Sequence, residues 1–105
     1  EEQSIKALRS WRKVAATRPT LVFPEGKARL NFGALRPGSG LWLRNLNVPV
    51  VPVAVFVEDG KWRVSFSKPI KWCKDMELSD AQLGLAIARM LPGALTPVWN
   101  KALAR

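Results

Sequence analysis

Apolar positions near the amino end recur at threes and fours. Ile5, Leu8, Trp11 and Ala15 share one stripe while Lys6, Arg9, Arg12 and Lys13 take other faces, which predicts an amphipathic helix over residues 4–16. Arg18-Pro19 ends it. Thr20 to Phe23 is an apolar run too short for a helix and bounded by prolines, so it reads as a buried strand. Pro24-Glu25-Gly26 then forms a turn, with Lys27 and Arg29 directly behind it. Arg36-Pro37-Gly38-Ser39-Gly40 leads into a short helix over residues 41–46, with Pro37 or Ser39 near its start. The valine-rich run from Val48 to Val57 has the pattern of a strand buried on both faces. Pro49 and Pro52 each remove a ladder donor there, so one side of the strand's start is expected to be unpaired.

Asp59-Gly60 is the dipeptide of a tight hairpin turn, and Trp62, Val64 and Phe66 alternate behind it with Arg63, Ser65 and Ser67. The expectation is a hairpin whose wetter face carries Arg63 and Ser65. Ser79 with Gln82 three residues on forms a capping box, and Leu78 and Leu83 are spaced as a hydrophobic staple. A helix should therefore start there, run to about Leu91 and stop at Pro92-Gly93. A last short helix begins at Thr96-Pro97, a cap followed by proline at the first helical position. The predicted fold is α/β: one domain, residues 1–105, with a small, largely central mixed sheet flanked by helices.

Net charge narrows the function classes further than composition does. The 105 residues are 48% hydrophobic and 24% charged, ordinary for a globular chain, but 17 Lys and Arg stand against 8 Asp and Glu, a formal charge of +9. An anionic partner follows: nucleic acid, an anionic lipid surface or a phosphorylated substrate. One cysteine, Cys73, excludes an intrachain disulfide and reads as a structural thiol, and Glu1-Glu2-Gln3 has no signal-peptide character, so a cytoplasmic setting is expected. The longest apolar run, residues 48–57, falls short of the roughly 20 residues that span a bilayer. With no histidine, the chain lacks the commonest general base near neutral pH and the commonest metal ligand. No cofactor is expected.

A strand, a glycine turn, cations and a helix preceded by Pro-Gly is one way to present a phosphate site, with Lys27 and Arg29 as charge-assisted donors. A plain surface turn with solvated cations reads equally well. Three segments together add a resemblance: "FPEG" (residues 23–26), "RPGSG" (36–40) and "NVPVVPVAV" (47–55) resemble, in order and spacing, the second half of a PlsC-like glycerolipid acyltransferase domain. "WRVSFSKPIKW" (62–72) is similar to that family's strand ending in Pro-Ile. The resemblance covers residues 5–72, and residues 73–105 are C-terminal helices without an assignable motif.

The resemblance implies transfer of an acyl group from acyl-CoA or acyl-carrier protein to glycerol 3-phosphate or a lysophospholipid. It assigns Glu25 and Gly26 to binding the glycerol phosphate. Where family members continue Thr-Arg this chain has Lys27 and Ala28, with Arg29 one place late, so Lys27, Arg29 or Arg36 stands in for the phosphate-binding arginine. The run from Val48 to Val55 matches the block tied to the core and the acyl-chain side, and a core strand explains those valines as well. The family's catalytic H-x-x-x-x-D lies upstream, and its histidine deprotonates the acceptor hydroxyl. This chain has no histidine and no catalytic residue is assigned. A general base contributes on the order of 10²–10⁴-fold, so a truncated domain inactive by itself is expected.

Each of the five tryptophans has a Lys or Arg within two positions. Such interleaving suits a lipid headgroup interface, where the domain would sit peripherally at a membrane, and it suits single-stranded nucleic acid. Tryptophans packed in the core explain it too. Trp11 and Trp72 are the ones expected to be exposed. A sheet lacking its amino-terminal half would leave an edge or an apolar face open, so homo-oligomerisation is a further expectation. The rival to a lipid- and phosphate-binding domain is a small basic interaction module that self-associates or binds nucleic acid.

Overall fold

The computed structural model describes residues 9–10, 12–26 and 31–104. Besides the helical residues near the amino end, the described residues form three helices and one hairpin: α1 (Ser39–Arg44), β1 (Val53–Glu58), β2 (Lys61–Phe66), α2 (Ser79–Ala88) and α3 (Asn100–Leu103). Two 3₁₀ turns, Met76–Leu78 and Gly93–Leu95, precede α2 and α3. The architecture is mixed α and β, as the sequence pattern predicts. At the amino end, residues 12–15 are helical and the turn closes through Val14 O before Pro19; Ile5, Leu8 and Trp11 lie outside the described residues.

The core is helical. Phe32, Leu43, Leu83, Ile87 and Ala88 form its buried cluster, drawn from the loop before α1, from α1 and from α2. Gly40 lets α1 and α2 touch backbone to backbone, since a Cβ there would overlap the Ser79 carbonyl. Trp99 closes the far side, stacked on Phe32 with centroids 5.8 Å apart and planes 18° from parallel. Its indole Nε1 donates to Gly33 O at 3.0 Å, which satisfies the one polar atom that ring would otherwise bury.

The sheet differs from the expected one in size, position and facing. Among the described residues it is a two-stranded antiparallel hairpin and not a mixed, central sheet. Asp59 and Gly60 adopt φ of 52° and 74°, the left-handed pair that a two-residue turn requires, so the Asp-Gly signal held. The ladder pairs Val53 with Phe66, Val55 with Val64 and Val57 with Trp62, which puts six apolar side chains on one face. That face is open: Trp62 is 75% and Phe66 71% exposed. The opposite face, with Ala54 opposite Ser65, is the covered one; β1 packs against α2, and Ala54 is buried. Small residues allow that close approach, so the face expected to be wetter is the inner one.

Two other expectations are overturned. Thr20 to Phe23 forms no strand, and Leu21 and Phe23 are exposed, because no ladder partner is present among the described residues. Val48 to Val57 is not buried on both faces, since only the Ala54 side meets another element. The start of α2 also departs from the predicted box. Asp75 accepts from Glu77 N at 3.0 Å and caps the 3₁₀ turn, Ser79 Oγ donates back to Met76 O, and Leu78 is exposed and so staples nothing. Gln82 instead reaches across to Cys73 N and Lys71 O, at 2.8 and 3.1 Å. The end of α2 is as expected, with Arg89 to Leu91 closing its last turn before Pro92. Thr96 O accepts from Trp99 N and Asn100 N, so the last helix starts a turn after Thr96-Pro97.

Candidate functional site

The turn at residues 23–26 is held by the segment that precedes α1. Gly26 N donates to Phe23 O at 3.0 Å, closing the turn, and Gly26 sits at φ 76°, a value only glycine adopts freely. Pro24 O accepts twice, from Arg36 N at 2.8 Å and from Ser39 Oγ at 3.1 Å. Glu25 turns its carboxylate inward and accepts from Gly33 N at 3.0 Å. The "FPEG" and "RPGSG" segments, ten residues apart in the chain, therefore make one clamped loop pair.

Arg36 is the cation this arrangement brings in. Its side chain lies along Gly26, where a Cβ would stand 3.2 Å from Arg36 Cδ and 3.7 Å from Nη1. The absence of a side chain at residue 26 is what lets the guanidinium approach the turn. Arg36 is exposed and makes no side-chain hydrogen bond or ion pair among the described residues, so its five donors remain available to an anion. Lys27 and Arg29, the other two predicted cations, lie outside the described residues. Of the predicted site, Glu25, Gly26 and Arg36 are thus brought together.

The amino end of α1 carries no open anion site. Asp80, from the first turn of α2, accepts from Gly38 N at 2.8 Å and Gly40 N at 2.7 Å, one carboxylate oxygen to each. A carboxylate there satisfies the orphan donors and the positive end of the helix, the role a bound phosphate was expected to take. No local pattern signals Asp80, which lies about forty residues away in sequence.

The tryptophans divide differently from expectation. Among the described residues Trp62 is the exposed one, while Trp72 is half-buried with the Arg44 guanidinium 6.0 Å from its ring centroid. Trp11 lies outside the described residues. Arg63 and Glu58 form an exposed ion pair at 3.9 Å on the hairpin's inner face. Cys73 is free, with its thiol donating to Asp75 O at 3.3 Å. Among the described residues no group of three His, Cys, Asp or Glu is placed to hold a metal, and no helix is long and apolar enough to cross a membrane.

No protein-family model, curated protein or solved structure matches this chain. The resemblance to PlsC-like acyltransferases rests on the motifs alone.

Proposed function

We propose that the chain is an acyltransferase-like domain without its own general base, which docks on anionic lipid surfaces and offers the Glu25-Gly26 turn and Arg36 to a phosphate. The supporting observation is the hairpin's outer face: Val53, Val55, Val57, Trp62, Val64 and Phe66 are all apolar, and Trp62 and Phe66 are largely exposed. An apolar patch of that extent marks an interaction surface, and an indole beside a phenyl ring suits the headgroup boundary of a bilayer. Charge selects the partner. A second copy would bring another +9 against the first, whereas an anionic membrane attracts the chain at about 1 kcal/mol per nearby Lys or Arg.

The carboxylate of Asp80 at α1 and the clamped turn at Pro24 leave Arg36 as the described cation at the predicted phosphate loop. That geometry suits binding of a phosphate group, and the chain has no histidine to deprotonate a hydroxyl. Acyl-CoA or acyl-carrier protein would be a partner only as part of a complete enzyme, with the base supplied from outside these 105 residues.

Flotation with vesicles tests the reading. The protein is expected to float with phosphatidylcholine vesicles containing phosphatidylglycerol and only weakly with phosphatidylcholine alone, where the apolar contact acts without the charge attraction. Trp62→Ser with Phe66→Ser should abolish flotation while leaving the far-ultraviolet circular dichroism unchanged. A dimer by light scattering that the same double substitution makes monomeric would show that a second copy covers the face. Tight, saturable binding to single-stranded oligonucleotides without flotation would favour a nucleic-acid module.

A further inference from the structure

Between the extended segment 67–71, which follows β2, and one stripe of α2 lies an open cleft of about 340 Å³. The helix contributes Gln82, Leu85, Ala86 and Arg89, spaced i, i+3, i+4, i+7 and hence on one face. The opposite wall carries Lys68, Ile70 and Lys71. Three cations thus edge the cleft, its lining holds no carboxylate, and none of the three makes a side-chain hydrogen bond or ion pair among the described residues. Ile70, Leu85, Ala86 and Pro69 supply apolar walls between them.

The cleft is pinned on both sides. Ser67 N donates to Pro52 O at 3.0 Å and Ile70 N to Val50 O at 2.9 Å, tying one wall to the segment that precedes β1. Gln82 bonds Lys71 O and Cys73 N, tying the same wall to α2. Little ordering would therefore be needed on binding. The carboxyl end of a helix ordinarily repels anions, but Leu85 O, Ile87 O and Ala88 O are taken by the N–H groups of Arg89, Met90 and Leu91. Arg89 adds its own positive charge at that end.

We infer that this cleft binds a phosphate monoester carried on a short apolar chain, the dianion meeting Lys68, Lys71 and Arg89 and the chain lying against Ile70, Leu85 and Ala86. The site is separate from the Gly26–Arg36 loop and from the hairpin face, and it does not depend on either. Two sources share this chemistry, a lipid headgroup and a free phosphorylated metabolite, and the apolar walls distinguish them.

The test is titration of ¹⁵N-labelled protein with octyl phosphate below its micelle concentration, with inorganic phosphate and with octyl glucoside, read by amide chemical shifts. Octyl phosphate is expected to shift residues 67–71 and 82–89 saturably, and inorganic phosphate to bind at least about tenfold more weakly, since the apolar contact is lost. Octyl glucoside should leave these amides unmoved. Lys71→Gln with Arg89→Gln should weaken octyl phosphate by about tenfold or more, the loss expected for removing charge-assisted contacts. Trp62→Ser with Phe66→Ser should leave it unchanged, which separates this site from vesicle docking. Equal binding of inorganic phosphate would overturn the apolar part of the inference. Equal shifts with octyl glucoside, shifts confined to the hairpin, or full affinity in the folded Lys71/Arg89 variant would overturn the site.

Discussion

The outer edge of the Trp99 indole occupies the space that a side chain on Gly84 would fill, so that α2 meets the carboxyl-terminal segment with no Cβ between them. This one approach lets Trp99 stack on Phe32 and bond Gly33 O at the same time, joining α2, the loop before α1 and the carboxyl-terminal turn. In an exposed helix, Gly→Ala would be favourable by about 1 kcal/mol. Here Gly84→Ala is expected to destabilise by about 1–3 kcal/mol, because the ring must move and lose its stacking and its hydrogen bond. Urea denaturation measures the loss. Adding Trp99→Leu should recover part of it in a double-mutant cycle; additive losses would mean that the ring is not what the new methyl meets.

Asp80 links the two helices electrostatically as Gly40 links them sterically. Both oxygens accept from backbone N–H groups at the start of α1, and hydrogen bonds to a charged acceptor contribute about 1.5–3 kcal/mol each when well formed. Asp80→Asn turns one acceptor into a donor facing an N–H. It is expected to destabilise by about 2 kcal/mol and to speed amide exchange at Gly38 and Gly40. Unchanged exchange at Gly40 would show that the carboxylate does not close this end.

Local signals were legible where one residue type forces one backbone geometry. Asp59-Gly60 set the hairpin and its register, Pro92-Gly93 ended α2, and Pro19 ended the first helical turn. The alternation after Lys61 gave two faces but not which one would be covered. That choice depends on Ala54 and Ser65 meeting α2, a contact between elements that no period of two contains. Thr20 to Phe23 misled for the same reason, since an apolar run becomes a strand only beside a partner with free N–H and C=O groups. The motifs point to Glu25, Gly26 and Arg36 as one candidate loop, while the Asp80 cap on α1 and the separate cleft edged by Lys68, Lys71 and Arg89 arise from pairing segments distant in the chain.

Gly26 and Arg36 should separate structure from binding in the predicted phosphate loop. Gly26 has φ 76° and the Arg36 stem against it, so Gly26→Ala is expected to cost about 1–2 kcal/mol in stability. Arg36→Ala keeps the backbone bond from Arg36 N to Pro24 O and removes only an exposed side chain, so stability should change by less than about 0.5 kcal/mol. Binding of glycerol 3-phosphate, followed by calorimetry, should nevertheless fall about tenfold for Arg36→Ala. A large stability loss with unchanged affinity would make Arg36 a structural residue of the loop.

The hairpin face carries the sharpest contrast between folding and function. Trp62 and Phe66 stand in solvent, so replacing both with Ser removes almost nothing from the folded core, and the thermal midpoint is expected to hold within a few degrees. The same change removes the two largest apolar side chains of the proposed docking surface. Salt separates the two parts of the attraction in the unsubstituted protein. Raising ionic strength from 0.05 to 0.5 M shortens the screening length to a few ångströms, so the cationic contribution should weaken while the apolar one persists. Vesicle binding is therefore expected to fall with salt toward a residual level that the Trp62/Phe66 variant lacks. If binding instead vanished entirely at high salt and the variant matched the unsubstituted protein throughout, charge alone would hold the chain to the membrane. The exposed valines, Trp62 and Phe66 would then need another occupant.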